Sequence, residues 1–190
     1  MNKKIQLYDL GNKDYKATWE YQEELFKGIV DLKIQNRKDE TSLPTPNYFL
    51  FVEHPHVITL GRKSNINNIL VNDLPVYHVE RGGDVTYHGP GQLIGYPIIN
   101  INQDKDINKF LRNLEEVIIK TLADYGLHGD RSKGETGVWL DPLVEGKARK
   151  ICAMGIKCSR WITMHGFAFN VNTDLKYFDK IVPCGIKDKQ

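Results

Sequence analysis

Residues 81–97 read RGGDVTYHGPGQLIGYP, and the fold turns on whether these glycines cradle a nucleotide. Gly89, Gly91 and Gly95 give G-x-G-x-x-x-G, one residue out of register for the dinucleotide fingerprint. Pro90 fills the first variable position, and a strand-like run, LIGYPIIN (93–100), follows where a helix would have to begin. No G-x-x-x-x-G-K-[ST] occurs in the chain, so a phosphate-cradling P-loop is excluded as well. The glycines read instead as two tight loops around a short strand, where backbone can approach something flat or extended. Arg81, Asp84, Thr86, Tyr87, His88 and Gln92 surround them, which is more polar equipment than a pair of hairpin turns requires.

Outward from this stretch the chain is mostly short strands. NYFLFVE, HVITLG, VYHVE, DVTYH, GVWL, RKICAMGIKCS and ITMHGFAFNV are rich in β-branched and aromatic residues and are divided by Gly, Pro or Asn. Two helices interrupt them. DYKATWEYQEELFKGIVDLKI (14–34) has Asp14 as its cap and Trp19, Gln22, Phe26 and Ile29 at helical spacing. INKFLRNLEEVIIKTLADYG (107–126) carries an apolar stripe from Ile107 through Leu114, Ile118 and Leu122 to Tyr125, with Gly126 as its stop. The polar segment 36–47 reads as a loop. Strands grouped between helices, instead of alternating with them, predict an α+β fold with a mixed, mostly antiparallel sheet flanked by helices.

The totals agree with one globular domain over the 190 residues. The net charge of +2 gives no case for nucleic acid. No apolar run approaches membrane-spanning length and no signal segment opens the chain, so a cytoplasmic protein without a membrane partner is expected. Cys152, Cys158 and Cys184 are an odd number without a C-x-x-C spacing, which disfavours a disulfide scaffold or a zinc knuckle. The six histidines are scattered; Pro55 separates the one close pair, in EHPH, so no metal is expected.

The stretch 81–97 closely resembles the signature of the octanoyltransferases, the lipoate-protein ligase B family. The resemblance continues through FVEHPHVITLGR, GVWL, RKICAMGIK and MHGFAFNVNTDLKYFDKIVPCGI, in order over about residues 5 to 187. It implies the fold shared with biotin protein ligases and lipoate ligases. It also implies an acyltransferase that moves an octanoyl group from octanoyl–acyl carrier protein to a lysine of a lipoyl domain, the first step of endogenous protein lipoylation. The acceptors would be lipoyl domains of 2-oxoacid dehydrogenases or the glycine cleavage H protein. No cofactor is implied, because the thioester already carries the activation.

The same resemblance assigns Cys184, in VPCGI, as the nucleophile and Lys150, in RKICAMG, as the partner facing it. A thiol titrates near ~8.5 and attacks as the thiolate, so a nearby ammonium helps. Apolar surroundings would favour the neutral amine of Lys150, suiting it to act as a base. Cys152 and Cys158 read as buried structural cysteines, placed by strict alternation on the same strand face as Lys150, Met154 and Ile156. The implied substrate-binding set is Arg81, Gly82, Gly83, Asp84, Thr86, Tyr87, His88, Gly89, Gly91 and Gln92, with Ala153, Met154, Gly155, His165, Gly166, Phe167 and Ala168. Tyr87, Leu93 and Met164 are expected to floor the acyl slot, and backbone N–H groups of the glycine loops or Gly185 to stabilise the oxyanion. Arg62, Lys63, Lys147, Arg149 and Arg160 could dock an acidic carrier protein.

Members of the family usually continue past the cysteine motif, whereas this chain stops at Gln190; the expectation is a single catalytic domain over 1–190, short at its carboxyl end. Two other readings stand beside this one: an ATP-dependent lipoate- or biotin-type ligase of the same fold, and a non-catalytic acyl- or lipoyl-domain-binding module.

Overall fold

The computed structural model describes residue 2 and residues 4–182. Ten strands and two helices follow in the order β1 (Gln6–Asn12), α1 (Tyr15–Lys38), β2 (Tyr48–Glu53), β3 (Val57–Leu60), β4 (Val76–His78), β5 (Val85–His88), β6 (Gln92–Ile98), α2 (Ile107–Asp124), β7 (Gly129–Asp130), β8 (Val138–Leu140), β9 (Arg149–Ser159) and β10 (Ile162–Asn170). A short 3-10 helix, Leu175–Lys180, comes last. Seven strands form one sheet in the order β1-β2-β6-β10-β9-β8-β7, and β4-β3-β5 form a smaller one. Within the large sheet β1 and β2 run parallel and the other neighbours antiparallel. The expected mixed, mostly antiparallel α+β fold is what forms.

Alternation along the strands builds two cores. Leu50 and Val52 of β2 and Ile94, Tyr96 and Ile98 of β6 pack with Ile29 of α1. Their alternates Phe49, Phe51 and Leu93 pack with Ile118 and Leu122 of α2, together with Val138, Cys152 and Phe169. The two helices therefore lie against opposite faces of the sheet. The small sheet has its own core of Ile58, Leu60, Val85 and Tyr87, closed by Tyr177, Phe178 and Ile181 from the end of the described chain.

Asp14 caps α1 as expected, its carboxylate accepting from the Ala17 N–H at 2.9 Å. The helix runs on past Ile34 into the polar segment read as a loop. Arg37 and Lys38 in its last turn complement the partial negative charge there. In α2 the expected stripe is buried at Leu114, Ile118 and Leu122. Tyr125, by contrast, is 82% exposed, because the helix has already ended before Gly126 at φ +75°. Glu115 of α2 was not expected inside, yet it is fully buried.

Candidate active site

A cavity of about 1140 Å³ lies between the glycine-rich loop, the middle of β9 and β10, the loop before β8 and the 175–182 segment. A volume of that size accommodates far more than an eight-carbon chain. Of the residues singled out from sequence, Arg81, Gly82, Gly83, Asp84, Thr86, His88, Gln92, Lys150, Ala153, Met154, Gly155, His165, Gly166, Phe167 and Ala168 line it. Tyr87, Gly89 and Gly91 do not. The Tyr87 hydroxyl sits 2.7 Å from His56 Nδ1 and its ring stacks on Tyr177, so it ties the small sheet to the end of the described chain. Gly91, at φ +79°, has the Asn172 carbonyl 2.4 Å from where a Cβ would stand, so the turn is built for close backbone packing. Leu93 and Met164 also lie off the cavity, and its apolar floor comes from Ile94, Tyr96, Trp139 and Phe167 instead.

The loop amides are largely committed. The Gly82 N–H donates to the Ile156 carbonyl and the Gly91 N–H to the Glu53 carboxylate. The Arg81 guanidinium donates to the carbonyl and hydroxyl of Thr59, both at 2.9 Å, which fixes it against the small sheet. Asp84 caps its own loop, accepting from Asn68 Nδ2 at 2.9 Å and the Val85 N–H at 2.7 Å.

Two buried histidines, His88 and His165, line the cavity and a third, His54, packs behind His88 and Tyr96; none was paired with the others by sequence spacing. His88 Nδ1 lies 2.8 Å from Gln92 Oε1, and its ring stacks on Tyr15. His54 bridges the Lys13 carbonyl, at 2.7 Å, and the Tyr96 hydroxyl, at 2.9 Å. His165 adopts φ +60°, and its N–H donates to Gln22 Oε1 at 3.2 Å instead of to β6. Counting from Phe167 opposite Gly95, His165 falls opposite Pro97, so ladder bonding is already interrupted there. Burial drives all three towards the neutral form: His88 and His165 are pushed down to about 3, and His54 is lowered. The unfolded chain takes up protons at these residues near ~6.5 and the folded one does not, so their contribution to stability is complete above that pH. It is lost progressively as pH falls from there towards 3. At pH 5, His88 and His165 should each cost about 2 kcal/mol. Thermal unfolding should then drop by roughly 8–16 °C between pH 7 and pH 5, and a transition temperature flat over that range would refute the assignment.

Strand β9 departs from strict alternation, which corrects the expectation that Cys152 shares a face with Lys150. Val138 pairs with Cys152 while Trp139 pairs with Lys150, so two steps along β9 answer one along β8. Val138 and Trp139 point to opposite faces, and so therefore do Cys152 and Lys150. The bulge at Ile151 sends Cys152 into the core under α2 and Lys150 into the cavity. There the Lys150 ammonium lies 4.6 Å from the centre of the Trp139 ring and 3.5 Å from Glu135 Oε2. The expected apolar setting is thus apolar on one side and acidic on the other. Nothing in the residue pattern marked Glu135 as its partner.

The two described cysteines lie off the cavity. Burial raises the Cys152 thiol far above its usual range, and it raises Cys158 as well. Cys184 lies outside the described residues, as does Gly185. Of the basic set, Arg149 lines the cavity and pairs with Asp141 at 3.1 Å, while Arg62, Lys63, Lys147 and Arg160 are exposed. Among the described residues no helix is long and apolar enough to cross a membrane, and no cluster of His, Cys, Asp and Glu could hold a metal ion.

Comparison with known proteins places this geometry. Residues 14–190 match the family described as lipoyl protein ligase A/B catalytic domain. An octanoyltransferase of Flavobacterium johnsoniae is 62% identical over 197 aligned positions, covering all of this chain and 84% of that protein. The octanoyltransferase of Cytophaga hutchinsonii is 49% identical, covering 99% of this chain and 81% of its own. Among solved structures, lipoate-protein ligase A bound with ATP superposes with a TM-score of 0.67 at 16% identity, over 93% of this chain and 70% of that one. A bipartite lipoate protein ligase from Thermoplasma acidophilum gives 0.64 at 17%, over 93% and 65%, and both share the fold. The chain belongs to the lipoyl protein ligase A/B catalytic-domain family and, within it, to the octanoyltransferases.

Proposed function

We propose that the chain moves an octanoyl group from octanoyl–acyl carrier protein to a lysine of a lipoyl domain, through a thioester on Cys184. The acceptors would be lipoyl domains of 2-oxoacid dehydrogenases or the glycine cleavage H protein. The observation that carries the reading is that Lys150 and Val182 line one cavity, and Cys184 follows Val182 by two residues.

In the first half the Lys150 ammonium stabilises the Cys184 thiolate, which attacks the carbonyl carbon of the carrier's thioester. The new C–S bond forms as the carrier's C–S bond breaks, and the carrier's sulfur leaves and takes its proton from the Lys150 ammonium, whose amine is then neutral. In the second half the acceptor lysine's neutral amine attacks the octanoyl–Cys184 carbonyl. A C–N bond replaces the C–S bond, and Lys150 Nζ receives the amine's proton. Arg81, His88 and His165 frame the polar end of the cavity, while Ile94, Tyr96, Trp139 and Phe167 offer the acyl chain an apolar wall. Burying about seven methylenes contributes roughly 5–6 kcal/mol before ordering costs.

The test is to incubate the folded chain with octanoyl–acyl carrier protein in the absence of ATP and weigh the intact protein. The expected mass gain is one octanoyl group, discharged when a lipoyl domain is added. No gain, or a gain obtained solely with free octanoate and ATP, would overturn the proposal.

A further inference from the structure

The loop before β8 is built around one buried carboxylate. Glu115 Oε2 accepts from Arg112 Nη1 at 2.7 Å and from Arg131 Nε at 2.9 Å, and Oε1 accepts the Gly137 N–H at 2.9 Å. Arg131 and Gly137 bracket the segment that carries Glu135, so a single side chain of α2 pins both ends. The Glu135 N–H donates to the Ser132 carbonyl at 3.2 Å, closing the turn from within. Gly137, at φ +121°, lets the loop settle on β9, since a Cβ there would stand 2.4 Å from the Cys152 carbonyl. The result is that Glu135 meets Lys150 at 3.5 Å, where the ammonium also lies over the Trp139 ring.

A fully buried charge is costly unless it is paired, and here the pairing fixes a loop whose other conspicuous product is that meeting. We propose that Glu135 is a positioning residue for Lys150. It supplies the counter-charge to the ammonium and holds the amine against Trp139, aimed into the cavity. The inference rests on the reading of Lys150 given above and names the device that governs that lysine. The other charged and titratable groups nearby are Arg149, paired with Asp141, and Cys152 on β9, with Glu115 and Arg112 on α2. Arg81, Asp84, Lys176 and Asp179 face the same cavity. Among the described residues Glu135 is the carboxylate that pairs with Lys150, so the Glu135→Gln exchange removes that counter-charge.

The experiment compares wild type, Glu135→Gln, Glu135→Asp and Lys150→Ala in octanoyl transfer to a lipoyl domain, with thermal melts alongside. Glu135→Gln should lower kcat several-fold, with KM for the acceptor within about twofold and melting unchanged. Glu135→Asp, which keeps the charge, should recover most of that loss. A Glu135→Gln kcat equal to wild type while Lys150→Ala is inactive would overturn this inference alone. Full activity in Lys150→Ala would overturn the reading of Lys150, and this inference with it.

Discussion

Lys150→Ala is expected to lose about three orders of magnitude in single-turnover octanoyl transfer while folding normally. Two contributions act together. The ammonium that stabilises the attacking thiolate disappears, and so does the group that accepts the amine's proton; proton transfer by a placed base alone accounts for roughly 10²–10⁴ in rate. Neither of the other cationic residues of β9 can substitute. Arg149 is engaged with Asp141 and cannot release a proton at working pH, and Lys157 is engaged with Glu80 and lies over Phe26. Lys150→Arg separates the two roles. It restores a positive charge for acyl-enzyme formation but cannot serve as a base, so Cys184 should still acylate while discharge to the lipoyl domain stalls. Cys184→Ala should give no adduct at all. Rapid-quench measurement of the two halves checks the set, and a Lys150→Ala rate within tenfold of wild type would end the dyad model.

The second large effect falls on stability. Gly166 lies in β10 opposite Gly155 of β9, and a Cβ on it would stand 2.0 Å from the Gly95 carbonyl and 2.6 Å from Pro97 Cδ. Backbone and a proline ring cannot yield as a flexible side chain would. Gly166→Ala should therefore destabilise the protein by at least about 3 kcal/mol, at the upper end of what overpacking costs. It should also deform the wall that His165 and Phe167 share. Gly28→Ala is the internal contrast. Gly28 sits within α1 with nothing near the added methyl, so its replacement should raise stability by about 1 kcal/mol. Equal melting behaviour of the two variants would show that the close approach at Gly166 is misjudged.

Fold class, helix caps and most strands were legible because local chemistry and tertiary packing agree there. The Asp14 cap, the α2 stripe and the aromatic, β-branched runs each carry a periodicity the folded chain keeps. Strand β1 went unread because most of it is exposed at the sheet edge, so burial imposes no alternation on QLYDLGN. The carboxyl end of α1 went unread because exposed polar residues leave helix and loop equally plausible by pattern. For the site, motif resemblance named somewhat under half of the lining, the part that the glycine loop and the centres of β9 and β10 supply. What it could not give was Glu135 or Glu115. Their roles arise from contacts 15 to 22 residues apart in sequence, from Lys150 to Glu135 and from Glu115 to Gly137, and no spacing rule encodes those. The face of Lys150 was misread for a related reason: period-two reasoning fails at a bulge, and a bulge leaves no mark in composition.

That extra residue at Ile151 has an implication at the level of the gene. Register along β9, more than the identity of any single side chain, separates the oily interior from the reactive wall. Loss of the codon for Ile151 would straighten the strand and still leave the amine and the thiol on the faces they hold now, because adjacent residues of a regular strand point opposite ways. This is the place on the strand where one residue can be dropped without exchanging interior and wall.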